Sequence, residues 1–164
     1  MSEAPARGTL SLTRRVTFTA AHRYLRTEWS EAQNAERFGN ALMEFHSHDY
    51  VCDVTVSGAI DETTGMIVDL GLLDRVLRAE VVDRFDQRRL NLDVEEFAGG
   101  GQIPTGENLA RLIAHRVQRA LDEAGAGVPV TEVTVAEDPT LGSTWRRDAA
   151  AARATTPPPG TRAV

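Results

Sequence analysis

His46 and His48 stand two residues apart at the head of the run Val51-Cys52-Asp53-Val54-Thr55-Val56. β-Branched residues at this density favour a strand, and alternate side chains of a strand share one face. Both imidazoles therefore point the same way, which commits the chain to a sheet with a polar end. Imidazole nitrogens are natural zinc ligands, and a catalytic zinc takes three protein ligands and keeps one position open. A third histidine, His22, closes another β-rich run, Phe18-Thr19-Ala20-Ala21-His22-Arg23.

The remaining chain supplies partners for that strand. Leu10, Leu12, Val16 and Phe18 recur at period two, predicting a half-buried strand from Thr9 to Thr19 with His22 just beyond it. Residues 23–45 lack clean periodicity and carry Tyr24, Trp29 and Phe38, so they read as a partly ordered loop near the histidines. A second strand is expected over His48 to Gly58; if it extended back through Phe45, Glu44 would share the histidines' face. Asp61 to Gly65 reads as a turn into a short strand, Met66-Ile67-Val68, closing a hairpin.

Asp69 can then N-cap a helix over about residues 70–84, with Leu70, Leu73, Val76, Leu77 and Val81 on one face. A loop over Phe85 to Asn91 and a bend at Gly99-Gly100-Gly101 precede a second helix opening at Pro104-Thr105-Gly106-Glu107-Asn108. Thr105 is its cap and Gly125 or Gly127 its stop. Val130 to Val135 alternates as a third major strand, and a last short one is expected around Ser143–Arg147. The order implies an α+β domain with a mostly antiparallel sheet and helices on one face. It spans residues 9–148, between a flexible start (1–8) and an Ala/Pro/Thr-rich tail (149–164) too poor in bulky apolar groups to order itself.

Composition narrows the function classes. At 164 residues, 41% hydrophobic and 26% charged, the chain suits one soluble domain. A net charge of −6 argues against nucleic-acid binding, which calls for a basic stripe. The single cysteine, Cys52, rules out an intrachain disulfide and suits a reducing cytoplasm, where it reads as a buried strand residue. No leader and no membrane-length apolar run is evident, so no membrane partner is expected.

Six ordered segments resemble the 6-pyruvoyl-tetrahydropterin synthase and 6-carboxytetrahydropterin synthase family. They are Phe18–Arg23, His46–Tyr50, Thr64–Leu70, Phe85–Asn91, Pro104–Leu109 and Val133–Glu137, and the likeness runs over about residues 10–147. The resemblance implies a tunnelling fold, a four-stranded antiparallel sheet backed by two helices. It also implies trimers closing into a barrel, usually stacked as hexamers, with active sites between subunits. It implies a Zn2+ held by His22, His46 and His48, a pterin anchored by Glu137, and Thr105 and Glu107 beside the same pocket. The substrate implied is a small pterin-like molecule, dihydroneopterin triphosphate in most members.

The chain also departs from that pattern. The family's catalytic base is a cysteine shortly before the His-x-His pair, whereas Asn40-Ala41-Leu42-Met43-Glu44-Phe45 contains none. The family's Asp-His pair appears as Asp86-Gln87, and glutamine does not titrate near neutral pH. Ser47 and Asp49 stand where the family has glycine and asparagine. Glu44 is the candidate replacement base and Asp86 a candidate acid or base. Three readings follow: a zinc-dependent lyase of this family, the same scaffold turned to a non-pterin substrate, and a catalytically silent zinc or pterin binder.

Overall fold

The computed structural model describes residues 8–148; the expected tail at 149–164 lies outside them, as does the expected flexible start except Gly8. β1 (Leu10–His22) and β2 (His46–Gly58) pair antiparallel along their whole length, from Leu10 opposite Gly58 to His22 opposite His46. His22 is thus the last residue of its strand, not a residue beyond it. Alternation sorts the faces: Tyr50, Cys52, Val54 and Val56 of β2 are fully buried, as are Phe18, Ala20 and His22 of β1 to within 3%.

The sheet runs β3-β1-β2-β4-β5, where β3 is Arg88–Arg89, β4 is Val130–Asp138 and β5 is Leu141–Arg146. It is five-stranded and mixed, which corrects the expectation of four antiparallel strands. The Gln87 N–H donates to the Thr19 carbonyl at 2.7 Å and brings Arg88 and Arg89 parallel to Ala20 and Ala21. A second correction concerns Met66–Val68, which forms no strand. Asp61 and Met66 meet in one isolated bridge, while the Asp61 carboxylate caps the turn through the Thr63 and Thr64 N–H groups.

Residues 23–45 are more ordered than their lack of periodicity suggests. Ser30 and Gln33 form a reciprocal capping box that starts α1 (Glu31–Phe38), and a short α2 (Asn40–Met43) follows. Buried Asn34 donates to the Arg26, Trp29 and Ser30 carbonyls and accepts from the Arg26 N–H, pinning the loop to α1. Asp69 caps α3 (Leu70–Leu77), which continues through a π-helical turn (Arg78–Val82) into α4 (Asp83–Phe85). The expected helix over 70–84 is therefore one helical path with a widened middle. α5 (Leu90–Asp93) leads toward α6 (Gly106–Glu123), capped by Thr105. α6 ends in a Schellman motif, with Gly125 left-handed at φ 68° and the Ala126 N–H bonded to the Leu121 carbonyl.

α3 and α6 cover one face of the sheet, burying Leu73, Val76, Leu77, Leu109, Ile113, Val117 and Leu121 against Tyr50, Cys52, Val54 and Val133. Each such side chain contributes on the order of 1.5–3 kcal/mol of transfer free energy. Arg116, the one polar entry in the α6 stripe, is neutralised by Glu80 at 2.8 Å and Glu96 at 3.0 Å. The other face carries polar pairs, Arg15 with Asp53, Thr19 with Asp49 and Thr134 with Thr144. Among the described residues, no helix is long and apolar enough to cross a membrane.

Candidate metal centre

His22, His46 and His48 meet at the end of the β1–β2 pair, on the helix-covered side. Cross-strand pairing puts His22 opposite His46, and period two adds His48 to the same face. Their candidate ligand nitrogens all lie within 4.8 Å of one another. Main-chain carbonyls fix two of the rings. His22 Nδ1 lies 2.6 Å from the Pro104 oxygen and His46 Nδ1 lies 2.9 Å from the Glu44 oxygen. A carbonyl only accepts, so each Nδ1 carries the proton and each Nε2 keeps its lone pair. This is the outer-shell arrangement that orients metal-binding histidines.

Buried atoms left over support the same reading. His22 Nε2 and His48 Nε2 are buried without a hydrogen-bond partner. An unsatisfied buried polar atom costs about 1–3 kcal/mol, so two converging on one point call for a shared guest. Burial pushes the His22 pKa down to about 4, helped by His46 and His48 and opposed by the Pro104 bond, so the ring is neutral at physiological pH. Three converging imidazoles, two of them held by main-chain carbonyls, are a donor set that fits zinc.

Glu137, the last buried residue of β4, borders this cluster, its Oε2 3.7 Å from His48 Nε2. Burial holds its carboxyl above the usual carboxylate range, opposed by His48 and His46 and reinforced by Glu107. The first turn of α6 lies against it. A side chain at Gly106 would place its Cβ 2.7 Å from Ser143 Oγ and 3.7 Å from Glu137 Oε1. Only glycine lets the helix start so close to β4 and β5. Thr105 caps that helix through Asn108 N–H, and exposed Glu107 is near enough to act on Glu137 by its charge.

Two tyrosines complete the surroundings, and the sequence reading had given neither a role. Tyr50 continues the parity of His46 and His48, its ring 5.6 Å from His48 and 6.1 Å from His22; its hydroxyl is buried and unpartnered. Tyr24, two residues after His22, meets that ring edge-on at 5.4 Å. Period two held the signal for Tyr50 but not for Tyr24, which lies beyond the end of β1.

The two proposed acid–base residues are placed differently. Glu44 contributes its carbonyl to His46, but β2 begins at His46, so Glu44 is an exposed linker residue after α2 rather than a strand position. Asp86 accepts from the Thr19 N–H at 2.8 Å and lines a cleft with Thr17, Thr19, Asp49, Val51 and Gln87. None of the three histidines lines that cleft. Cys52 is fully buried and burial pushes its thiol up to about 12, so it is inert packing.

The family model for 6-pyruvoyl tetrahydropterin synthase matches residues 11–148. The chain belongs to that family. The 6-pyruvoyl tetrahydrobiopterin synthase of Drosophila melanogaster is 38% identical over 111 residues, spanning 67% of this chain and 65% of that protein. The structure of Caenorhabditis elegans 6-pyruvoyl tetrahydropterin synthase superposes with a TM-score of 0.76 at 30% identity, covering 86% of this chain and 97% of that one. A Plasmodium vivax 6-pyruvoyltetrahydropterin synthase, a catalytic-residue mutant with alanine in place of glutamate, shares the fold. Its TM-score is 0.61 at 16% identity, over 87% of this chain and 99% of that one.

Proposed function

We propose that this family member is a zinc-dependent lyase acting on the side chain of a dihydropterin. The observation that carries the reading is the convergence of three imidazoles, two of them oriented by main-chain carbonyls, beside the buried Glu137 side chain. His22, His46 and His48 would hold the ion, which when bound supplies Lewis acidity to the substrate oxygen it meets. Glu137 faces the ring end of the pocket, where a carboxylate accepts the paired N–H groups of a 2-amino-pyrimidinone and so orients it. Thr105 and Glu107 flank it from the start of α6.

Glu44 is the proposed base. A catalytic glutamate occurs in the Plasmodium vivax relative, and the segment before His46 offers no thiol. Its carboxylate would take the proton from the side-chain carbon next to the one bearing triphosphate, the electron pair forming a C=C bond as the C–O bond to triphosphate breaks. C–C cleavage would instead begin with a hydroxyl proton, the O–H electrons forming C=O as the C–C pair passes to the ring imine. Asp86, held by Thr19 away from the histidines of its own chain, takes part only when presented by a second copy. That fits the trimers or hexamers, with sites between subunits, implied by the family resemblance. A cytoplasmic setting accords with the lone reduced cysteine.

A second reading keeps the metal and changes the substrate. It rests on Gln87, which stands where the family has histidine and sits in a left-handed backbone at φ 58°. Zinc-loaded protein incubated with dihydroneopterin triphosphate, with products identified by mass spectrometry, decides between them. Loss of triphosphate or of a side-chain fragment supports the lyase; an unchanged substrate at full zinc loading removes it.

A further inference from the structure

Tyr24 makes contacts that its place in the chain alone would not suggest. Its ring stands edge-on to His22 at 5.4 Å and edge-on to Phe38 at 5.8 Å, and Phe38 stacks on Trp29 at 5.9 Å. α1 thereby clamps the phenol against the metal-binding ring. The Tyr24 N–H bonds the Leu42 carbonyl at 2.7 Å, tying it to the segment from Asn40 to Phe45. That is the segment in which the family's thiol is missing here.

The polar end of the ring has no use within the chain. Among the described residues, the Tyr24 hydroxyl makes no hydrogen bond, although the side chain is half-buried. Glu137 and Glu107 are the carboxylates near enough to act on it by their charge. The phenol is an O–H donor whose ring is held between His22 and Phe38. Behind it, the buried Tyr50 hydroxyl is also unpartnered.

We propose that Tyr24 is a substrate-contacting residue, donating a hydrogen bond to the oxygen on the first side-chain carbon of a bound pterin. This rests on the pterin reading above. Glu137 fixes the ring at one end and the histidines address side-chain oxygens at the other, so a donor beside His22 and within the field of Glu137 meets the atoms between them. Once the proton on that oxygen's own carbon has moved to the ring imine and made the oxygen a carbonyl, loss of a proton from the next carbon puts negative charge on it. A preoriented phenol O–H stabilises it without itself transferring a proton.

The test uses Tyr24→Phe, which keeps the ring contacts with His22 and Phe38, and two unreactive oxidised pterins. One carries a carbonyl on the first side-chain carbon, and the other is 6-methylpterin, with no side-chain oxygen. Affinity for the carbonyl pterin is expected to fall about 5–10-fold while that for 6-methylpterin is unchanged. With dihydroneopterin triphosphate, kcat is expected to fall about 10²-fold with KM moved far less, at unaltered zinc content and melting temperature. Equal losses for both pterins, no loss for either, or a change in zinc content alone would overturn the assignment. Wild-type protein that binds neither pterin would overturn the pterin reading itself, and this inference with it.

Discussion

Two clusters of polar groups flank the β1–β2 pair, and both carry groups that chemistry can use. On the helix-covered side, His22, His46 and His48 converge with Glu137. On the open side, Asp49 and Asp86 converge around Thr19. Their difference lies in what the polar atoms already do. Thr19 donates its hydroxyl to Asp49 at 2.7 Å and its N–H to Asp86 at 2.8 Å, so each carboxylate is engaged. Main-chain carbonyls orient His22 and His46 through Nδ1, and the Nε2 atoms of His22 and His48 are buried with nothing to bond. Satisfied groups hold the fold; oriented and unsatisfied ones await a ligand.

The largest effect that would break this contrast is expected at a ligand position. His48→Ala is expected to lower turnover on the order of 10³-fold or more, measured on protein supplied with excess zinc, because several kcal/mol of Lewis-acid stabilisation goes with the metal. Turnover within tenfold of wild type would place the chemistry elsewhere. Next comes Glu44→Gln, expected to lower kcat about 10²–10³-fold at normal zinc content; an unchanged kcat would move the base to another residue. Glu137→Gln is expected to lower kcat/KM for the pterin substrate about 10²-fold, read by steady-state kinetics, with the metal retained.

A smaller effect sharpens the contrast through pH. The His22 pKa is near 4 in the folded chain against 6.5 for the free side chain, so the unfolded state binds the extra proton between those values. Stability of the metal-free protein is therefore expected to be full above pH 6.5 and to fall by roughly 2–3 kcal/mol as pH drops toward 4, measured by urea unfolding. A flat profile across that window would contradict the buried neutral ring. The smallest effect belongs to the open cleft: Asp49→Asn keeps an acceptor for Thr19 and is expected to change stability by less than about 0.5 kcal/mol and turnover by less than about twofold.

Much of this contrast could be read from the sequence, for physical reasons that also mark where the reading stops. Period-two patterning carries both register and face, so His46, His48 and the major strands were visible before the fold. α6 was equally visible, because its apolar stripe, Thr105 cap and glycine stop agree with one another. β3 was not, since two arginines bear no pattern and are placed by main-chain pairing with β1 that opens on the Gln87–Thr19 bond. α1 had a sequence signal, the Ser30–Gln33 box, that an apolar-periodicity search passes over. Met66–Val68 looked like a strand because a short apolar run has no period long enough to reject one.

Within the site, the three converging imidazoles were legible and their supports were not. The carbonyls of Pro104 and Glu44 belong to the main chain, and no residue type announces them. Extending the strand back to Glu44 was the natural assumption, yet the chain leaves α2 and enters β2 only at His46. The same linker that removes Glu44 from the ladder lets its carbonyl orient His46, so the position serves the site through its backbone whatever its carboxylate does.

Metal analysis tests the central claim most directly. Purified protein, with His46→Ala beside it, is expected to carry about one zinc per chain in the wild type and almost none in the variant, both remaining folded. Wild-type protein without bound metal after loading, or His46→Ala with full zinc, would contradict the assignment of the three imidazoles to one ion.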